Sequence, residues 1–116
     1  MPSPLDELAD RLRQFATDRD WEQFHSPKNL AMALVAEAGE LAAEFQWMTE
    51  AHSHSPDEAQ RARIRAEAAD VLNYLLRLSD KLGIDLIAAA HEKIEVNAAR
   101  YPVDKVRGSS KKYTEY

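Results

Sequence analysis

The sequence contains no cysteine, so it forms no disulfide bond, and nothing in it points to secretion. Residues 1–7 have neither a basic stretch nor an apolar one, so we expect no signal peptide. No apolar run approaches membrane-spanning length. Excess positive charge is also absent, since 20 acidic residues outnumber 15 lysines and arginines, and a net charge of −5 argues against a protein that coats nucleic acid. Strand signals are missing too, because there is no sustained period-two alternation and no hairpin dipeptide. These absences predict a soluble, cytoplasmic, all-α protein.

The residues that are present favour one globular domain. The chain has 116 residues, 45% of them hydrophobic and 30% charged, which is enough for a modest core. Ser3-Pro4 is typical of a helix start and introduces a first helix that should end between 17 and 20. Ser26-Pro27 repeats that signal and predicts a long second helix, Pro27 to Thr49. The first helix carries an apolar stripe of Leu5, Leu8, Leu12 and Phe15.

Two further helices complete the prediction. Ser55 and Glu58 fit a capping box, and the third helix should continue to Leu82 and stop at Gly83. Asp85 can cap a fourth helix, Leu86 to Arg100, which Pro102 prevents from continuing. Between the second and third helices we expect a polar break whose histidines, His52 and His54, are solvated. We therefore predict four helices packed as a bundle in a domain of residues 1–102, followed by a basic tail of residues 103–116.

Two acidic stretches dominate the sequence. Glu37 and Glu40 lie three residues apart at the edge of an apolar stripe on the second helix. Glu67 and Asp70 are placed in the same way on the third helix. If these helices pack antiparallel, the four carboxylates converge, which is costly without a cation. Mg²⁺ prefers oxygen ligands of this kind, although acidic pairs on helices are also common as solvated surface.

Other side chains suggest a phosphorylated ligand. Lys93, Asn97 and Arg100 form a row on the fourth helix that would suit a polyanion or a solvated face equally well. Trp47 follows Glu40 by seven residues, about 10 Å on a helix, and its indole could stack on a base. The connector from Trp21 to His25 either contacts the ligand or plugs the end of the bundle. Arg63, Arg77 and Lys81 could touch phosphate or pair with carboxylates.

Several motifs together resemble the dCTP pyrophosphatase branch of the MazG-like, all-α nucleoside triphosphate pyrophosphohydrolases. The resemblance covers about residues 5–114. The paired acidic motifs mark the superfamily, and the WEQFH and FQW segments mark the branch. The motifs are Trp21 to His25, Glu37 to Ala42, Phe45-Gln46-Trp47, Glu67 to Leu75, Asn97 to Val103, and Arg107-Gly108-Ser109 with Lys112-Tyr113-Thr114.

The resemblance implies a Mg²⁺-dependent enzyme that cleaves a deoxynucleoside triphosphate to its monophosphate and pyrophosphate. It also implies a MazG-like four-helix bundle that assembles through its helix faces into a homotetramer, with no nucleic-acid or membrane partner. The catalytic metal ligands would be Glu37, Glu40, Glu67 and Asp70. The substrate-binding residues would be Trp21, Glu22, Gln23, Phe24, His25, Trp47 and Tyr74, with Lys93, Asn97 and Arg100 at the phosphates.

One position departs from the family pattern. Close relatives in this branch carry a histidine at the position of Leu12, and a leucine can neither donate a hydrogen bond nor carry charge. Other pyrimidine nucleotides or modified dCTP therefore remain possible substrates. Two alternatives also stay open: a broad-range nucleoside triphosphate pyrophosphohydrolase, and a non-enzymatic helical module that binds a cation or a basic partner.

Overall fold

A computed structural model describes residues 2–110 and residue 114. Within these residues the secondary structure is entirely helical and contains no strand, as predicted. The helices are α1 (Pro4–Asp18), α2 (Pro27–Ala43), α3 (Glu50–Ser53), α4 (Glu58–Leu82), α5 (Leu86–Arg100) and α6 (Val103–Val106), with a 3₁₀ turn at Glu22–Phe24. None of the helices in the described part is long and apolar enough to cross a membrane.

Most predicted helix ends are confirmed. The Ser3 hydroxyl accepts a hydrogen bond from the Asp6 backbone, and the Asp6 carboxylate accepts one from Ser3 in return. Asp85 caps α5 through the backbone N–H of Ala88. Gly83 ends α4 with a φ of 65°, a left-handed conformation that glycine adopts at little cost.

The predicted start of α4 is wrong by two residues. Asp57, not Ser55, is the cap: its carboxylate accepts from the backbone of Gln60 at 2.8 Å, and the Gln60 side chain accepts from Asp57 at 2.9 Å. Both S-x-x-E and D-x-x-Q satisfy the capping pattern here, so the sequence alone did not separate them. The predicted polar break before α4 contains a short helix, α3, whose first turn is capped by Thr49. The His52 ring lies 3.1 Å from the Gln60 side chain.

The predicted extent of α2 is also wrong, since the helix ends at Ala43 rather than Thr49. Beyond Ala43 the backbone forms turns with hydrogen bonds between residues three apart. The N–H of Glu44 donates to the carbonyl of Leu41, and the N–H of Met48 donates to the carbonyl of Phe45. These turns leave Phe45 and Met48 half-buried while the next side chains face solvent. Trp47 therefore does not lie on the helix that carries Glu40.

The chain divides into two compact units, Met1–Gly83 and Ile84–Tyr116. In the first unit, α4 packs against both α2 and α1. Its small core includes Leu30 from α2, Leu76 from α4 and Ala16 from α1. The second unit contains α5 and α6. The predicted division into residues 1–102 and a basic tail stays a prediction, and its Lys111, Lys112 and Tyr113 lie outside the described residues.

Candidate active site

The packing of α2 against α4 brings acidic side chains together. One carboxylate oxygen each from Glu37, Glu67 and Asp70 lie within 4.8 Å of one another. The Glu40 carboxylate interacts with those of Glu37 and Glu67. We call Glu37, Glu40, Glu67 and Asp70 the acidic cluster. The convergence that the sequence predicted from two i, i+3 pairs is therefore present.

The acidic cluster is held in an environment that opposes its full ionisation. Desolvation by burial raises the pKa of Glu37, and the neighbouring charges of Glu40 and Asp70 raise it further. Loss of solvent, followed by the interaction with Glu40, raises the pKa of Glu67 to about 7. Among the described residues, no lysine, arginine or histidine side chain donates a hydrogen bond to these carboxylates.

Two buried oxygen atoms indicate what this cluster lacks. The Oε2 atoms of Glu37 and Glu67 are inaccessible to solvent and have no hydrogen-bond partner in the described part of the chain. An ionised carboxylate only accepts hydrogen bonds, so neighbouring carboxylates cannot satisfy each other. A hard divalent cation would satisfy all of these oxygens at once, and the all-oxygen donor set fits Mg²⁺.

A second group of charged residues lies further along α4. Arg77, nearly buried, donates from Nη2 to Glu22 at 2.7 Å and from Nη1 to Asp80 at 3.3 Å. Arg13 of α1 donates to both oxygens of Asp80, at 3.0 and 2.6 Å, and Lys81 pairs with Glu22. We call Arg13, Glu22, Arg77, Asp80 and Lys81 the ion-pair network. It ties α1 and the 3₁₀ turn to α4.

Between α1 and α4 there is a cavity of about 460 Å³, within the size range of small-molecule sites. Asp70, a member of the acidic cluster, lies in its wall. The cavity therefore adjoins the acidic cluster. Its lining comprises Leu8, Arg11, Leu12 and Phe15 from α1, and Asp70, Asn73, Tyr74 and Arg77 from α4.

The predicted substrate residues differ in how close they lie to this cavity. Tyr74 lines the cavity directly. Trp21 and His25 each touch a lining residue: the Trp21 ring meets that of Phe15 edge-on at 5.7 Å, and His25 Nδ1 lies 3.4 Å from Arg77 Nη2. Burial, and then the charge of Arg77, lower the pKa of His25, which keeps its ring neutral near pH 7.

Of the remaining residues of the connector, Glu22 also contacts a lining residue, Arg77. The carboxylate of Glu22 is paired with Arg77 and Lys81, so in this structure it anchors the 3₁₀ turn. Gln23 donates to the backbone and side chain of Asp20. Phe24 is 59% exposed and does not line the cavity.

The helical argument that linked Trp47 to Glu40 does not hold, because α2 ends before Trp47. The indole is 90% exposed and does not line the cavity. On α5, the predicted row of Lys93, Asn97 and Arg100 is exposed and helical. The roles of Trp47 and of this row stay predictions.

The other basic residues considered on α4 are paired with carboxylates. Arg63 donates to Glu44 at 2.9 Å, and Arg77 and Lys81 belong to the ion-pair network. Sequence reasoning missed Asn73, Arg11 and Phe15 as cavity residues. For Asn73 a signal existed, because it follows Asp70 by three residues and so shares its helix face.

Comparison with known proteins decides the family. A model of the MazG-like family matches residues 32–116. The chain belongs to the MazG-like family. Among MazG-like relatives, human dCTP pyrophosphatase 1 is 47% identical over 98% of this chain and 69% of its own length. The rat protein of the same name is 45% identical over the same shares. A solved pyrophosphatase from Archaeoglobus fulgidus has 39% identity and a TM-score of 0.81, over 86% of this chain and 94% of that one.

Proposed function

We propose that this MazG-like protein hydrolyses dCTP to dCMP and pyrophosphate and that the reaction depends on Mg²⁺. The observation that carries the proposal is the acidic cluster, with two buried carboxylate oxygens that no other described group satisfies, beside a cavity of ligand size. The similarity to dCTP pyrophosphatase 1 over 98% of the chain supports this choice of substrate.

In the proposed reaction, water attacks the α-phosphorus and the bond to the bridging oxygen of the β-phosphate breaks. Glu37, Glu40, Glu67 and Asp70 would hold the metal. When bound, Mg²⁺ supplies charge neutralisation for the triphosphate and a more acidic water. The protein contributes position: α2 and α4 fix the carboxylates, of which Asp70 lines the cavity, and the cavity would accept the nucleoside.

Further assignments belong to the same proposal. Tyr74, Trp21 and His25 would surround the nucleoside, since they line the cavity or touch its walls. Lys93, Asn97 and Arg100 are proposed for the phosphates on the strength of the family resemblance. A cytoplasmic location suits an enzyme that acts on the nucleotide pool.

We also propose that the protein is a homo-oligomer, most simply a tetramer. Met32 and Val35, on α2, are 66% and 71% exposed, and Ile94 on α5 is 60% exposed. Met32 and Val35 lie three residues apart and so share a face of α2, and exposed apolar side chains grouped on one face are typical of association surfaces. Light scattering at micromolar concentration tests this, and a monomer would contradict it.

Pyrophosphate release from a panel of deoxynucleoside triphosphates, with Mg²⁺ and after chelation, tests the main proposal. We expect release from dCTP that stops on chelation and returns when Mg²⁺ is restored. Comparable release from purine nucleotides would favour the broad-range enzyme instead. If no nucleotide is cleaved while Mg²⁺ still binds, the cation-binding interaction module becomes the better account.

A further inference from the structure

The cavity between α1 and α4 has two chemically different walls. Leu8, Leu12 and Phe15 make most of the α1 wall apolar, while the α4 wall carries the polar groups. Ligand sites commonly combine an apolar enclosure with a few polar groups that fix orientation. The residues that could recognise a base within this cavity are therefore expected mainly on α4.

Asn73 differs from two of its polar neighbours on that wall, Asp70 and Arg77. Arg77 is committed to Glu22 and Asp80, and Asp70 belongs to the acidic cluster. The Asn73 side chain is half-buried, yet its amide has no hydrogen-bond partner within the described residues. Its amide atoms are not among the fully buried unpaired atoms, so water can reach them in the free protein, and a base that enters the cavity would replace that water with direct hydrogen bonds.

The position of Asn73 along α4 suits a base. It follows Asp70 by three residues, a rise of about 4.5 Å on a helix. If the α-phosphate lies at the acidic cluster, only the sugar separates it from the base. The base would then lie about one helical turn from Asp70, within reach of the Asn73 side chain.

We propose that Asn73 is a specificity-determining residue that hydrogen-bonds to the pairing edge of the pyrimidine. This proposal rests on the proposed function. The Oδ1 atom would accept from the 4-amino group of cytosine, and the Nδ2 group would donate to N3. Phe15 and Leu12 would cover the base with apolar surface.

The same geometry limits the discrimination between pyrimidines. No described partner fixes the orientation of the amide, so a rotation of half a turn exchanges its donor and acceptor. The rotated amide matches N3–H and O4 of thymine or uracil. Asn73 therefore supplies affinity for the pyrimidine edge and leaves the preference for cytosine weaker than a fixed donor would make it.

A cycle that changes both the residue and the base tests this contact. The ligands are dCTP and the corresponding triphosphate of 2-pyrimidinone, which is dCTP without the 4-amino group. In the unaltered protein we expect the analogue to have a KM roughly ten-fold higher than that of dCTP. In Asn73→Leu the two KM values should become equal, because the contact with the amino group is gone. An unchanged KM ratio in Asn73→Leu would overturn the proposal.

Two controls separate this contact from a general disturbance. Inhibition by tripolyphosphate, which has no base, should be the same for Asn73→Leu and the unaltered protein. Gln14→Met removes an exposed amide on α1 that lies outside the cavity, and it should leave the KM ratio unchanged. If Asn73→Leu folds poorly by circular dichroism, Asn73→Ser takes its place in the same cycle.

Binding measured without turnover keeps the two proposals distinguishable. Calorimetry with dCMP and its counterpart lacking the 4-amino group should give the same ten-fold ratio in the unaltered protein and none in Asn73→Leu. If dCTP is hydrolysed but these ratios do not change, only the role of Asn73 is wrong. If dCTP is not hydrolysed, the calorimetric ratio still decides whether Asn73 contacts the base.

Discussion

Helix α4 contributes to two groups of charged side chains whose electrostatic environments are opposite. In the ion-pair network, Glu22 and Asp80 each lie against two cations, and these contacts lower the pKa of both carboxyls. In the acidic cluster, carboxylates lie against one another and the pKa values of Glu37 and Glu67 are raised. The first arrangement pairs every carboxylate with a cation, although the buried Nε atom of Arg77 has no hydrogen-bond partner among the described residues, and it contributes to the fold. The second is complete only with a cation, which is the usual condition of a functional site.

The largest expected effect concerns the acidic cluster. Asp70→Asn keeps the shape of the side chain and removes a metal-binding charge, so we expect turnover of dCTP to fall by about 100-fold or more. Initial rates of pyrophosphate release measure this. Glu58→Gln, an exposed carboxylate in the first turn of the same helix, is the matched control and should retain activity. Activity of Asp70→Asn near that of the unaltered protein would remove Asp70 from the site.

The next effect concerns the ion-pair network. Arg77→Met removes a nearly buried guanidinium and leaves Glu22 and Asp80 with fewer partners. We expect the free energy of unfolding to fall by roughly 2–4 kcal/mol. Denaturant unfolding at neutral pH measures the change. Arg65→Met, an exposed arginine on the same helix, should change it by less than about 0.5 kcal/mol. Equal effects of the two variants would contradict the assigned role of Arg77.

The two groups should respond to pH in opposite directions. Without metal, Glu67 holds a proton more tightly in the folded state, where its pKa is about 7, than at its ordinary value of 4.5. Stability should therefore fall as pH rises between these values. The lowered pKa values of Glu22 and Asp80 act the other way, since their contribution is lost as pH falls below their ordinary values of 4.5 and 3.8.

Thermal unfolding of the metal-free protein across pH measures both slopes. Glu67→Gln should flatten the decline towards neutral pH and leave the acid limb unchanged. Asp80→Asn should weaken the acid limb alone. If Glu67→Gln alters only the acid limb, the assignment of the raised pKa is wrong.

The smallest effect is expected at the exposed edge of the ion-pair network. Lys81 pairs with Glu22, and both side chains are partly exposed to solvent, at 28% and 37%. Lys81→Met should lower the free energy of unfolding by about 0.5 kcal/mol, because exposed ion pairs are screened by water and salt. The effect should shrink further in high salt. If Lys81→Met lowered the free energy of unfolding as much as Arg77→Met does, the two ion pairs would contribute equally, and the distinction between a buried centre and an exposed edge of the network would be wrong.

Much of this fold could be predicted from local signals. The starts of α1, α2 and α5 follow from caps whose side chains bond the expected backbone groups. The end of α2 could not be predicted in this way, because no glycine or proline follows Ala43. After Ala43 the chain forms turns in which Phe45 and Met48 are half-buried, instead of continuing as a helix.

The site shows the same division between local and tertiary information. The acidic cluster could be predicted because its members repeat at i, i+3 on two helices that pack together. The cavity could not, because it forms only where α1 meets α4, and the spacing of Leu12 and Phe15 indicates core as readily as a ligand wall. The expected span from Glu40 to Trp47 failed for another reason, since it assumed a helix that ends too early.

Calorimetric titration of the metal-free protein with Mg²⁺ near pH 7, repeated in buffers of different ionisation enthalpy, tests the central claim most directly. The account predicts saturable binding that releases protons from the acidic cluster, with fewer protons released as pH rises above about 7. It also predicts that binding is lost in Asp70→Asn and kept in Glu58→Gln. Binding of equal affinity in the unaltered protein and in Asp70→Asn, or proton release that does not change with pH, would contradict it.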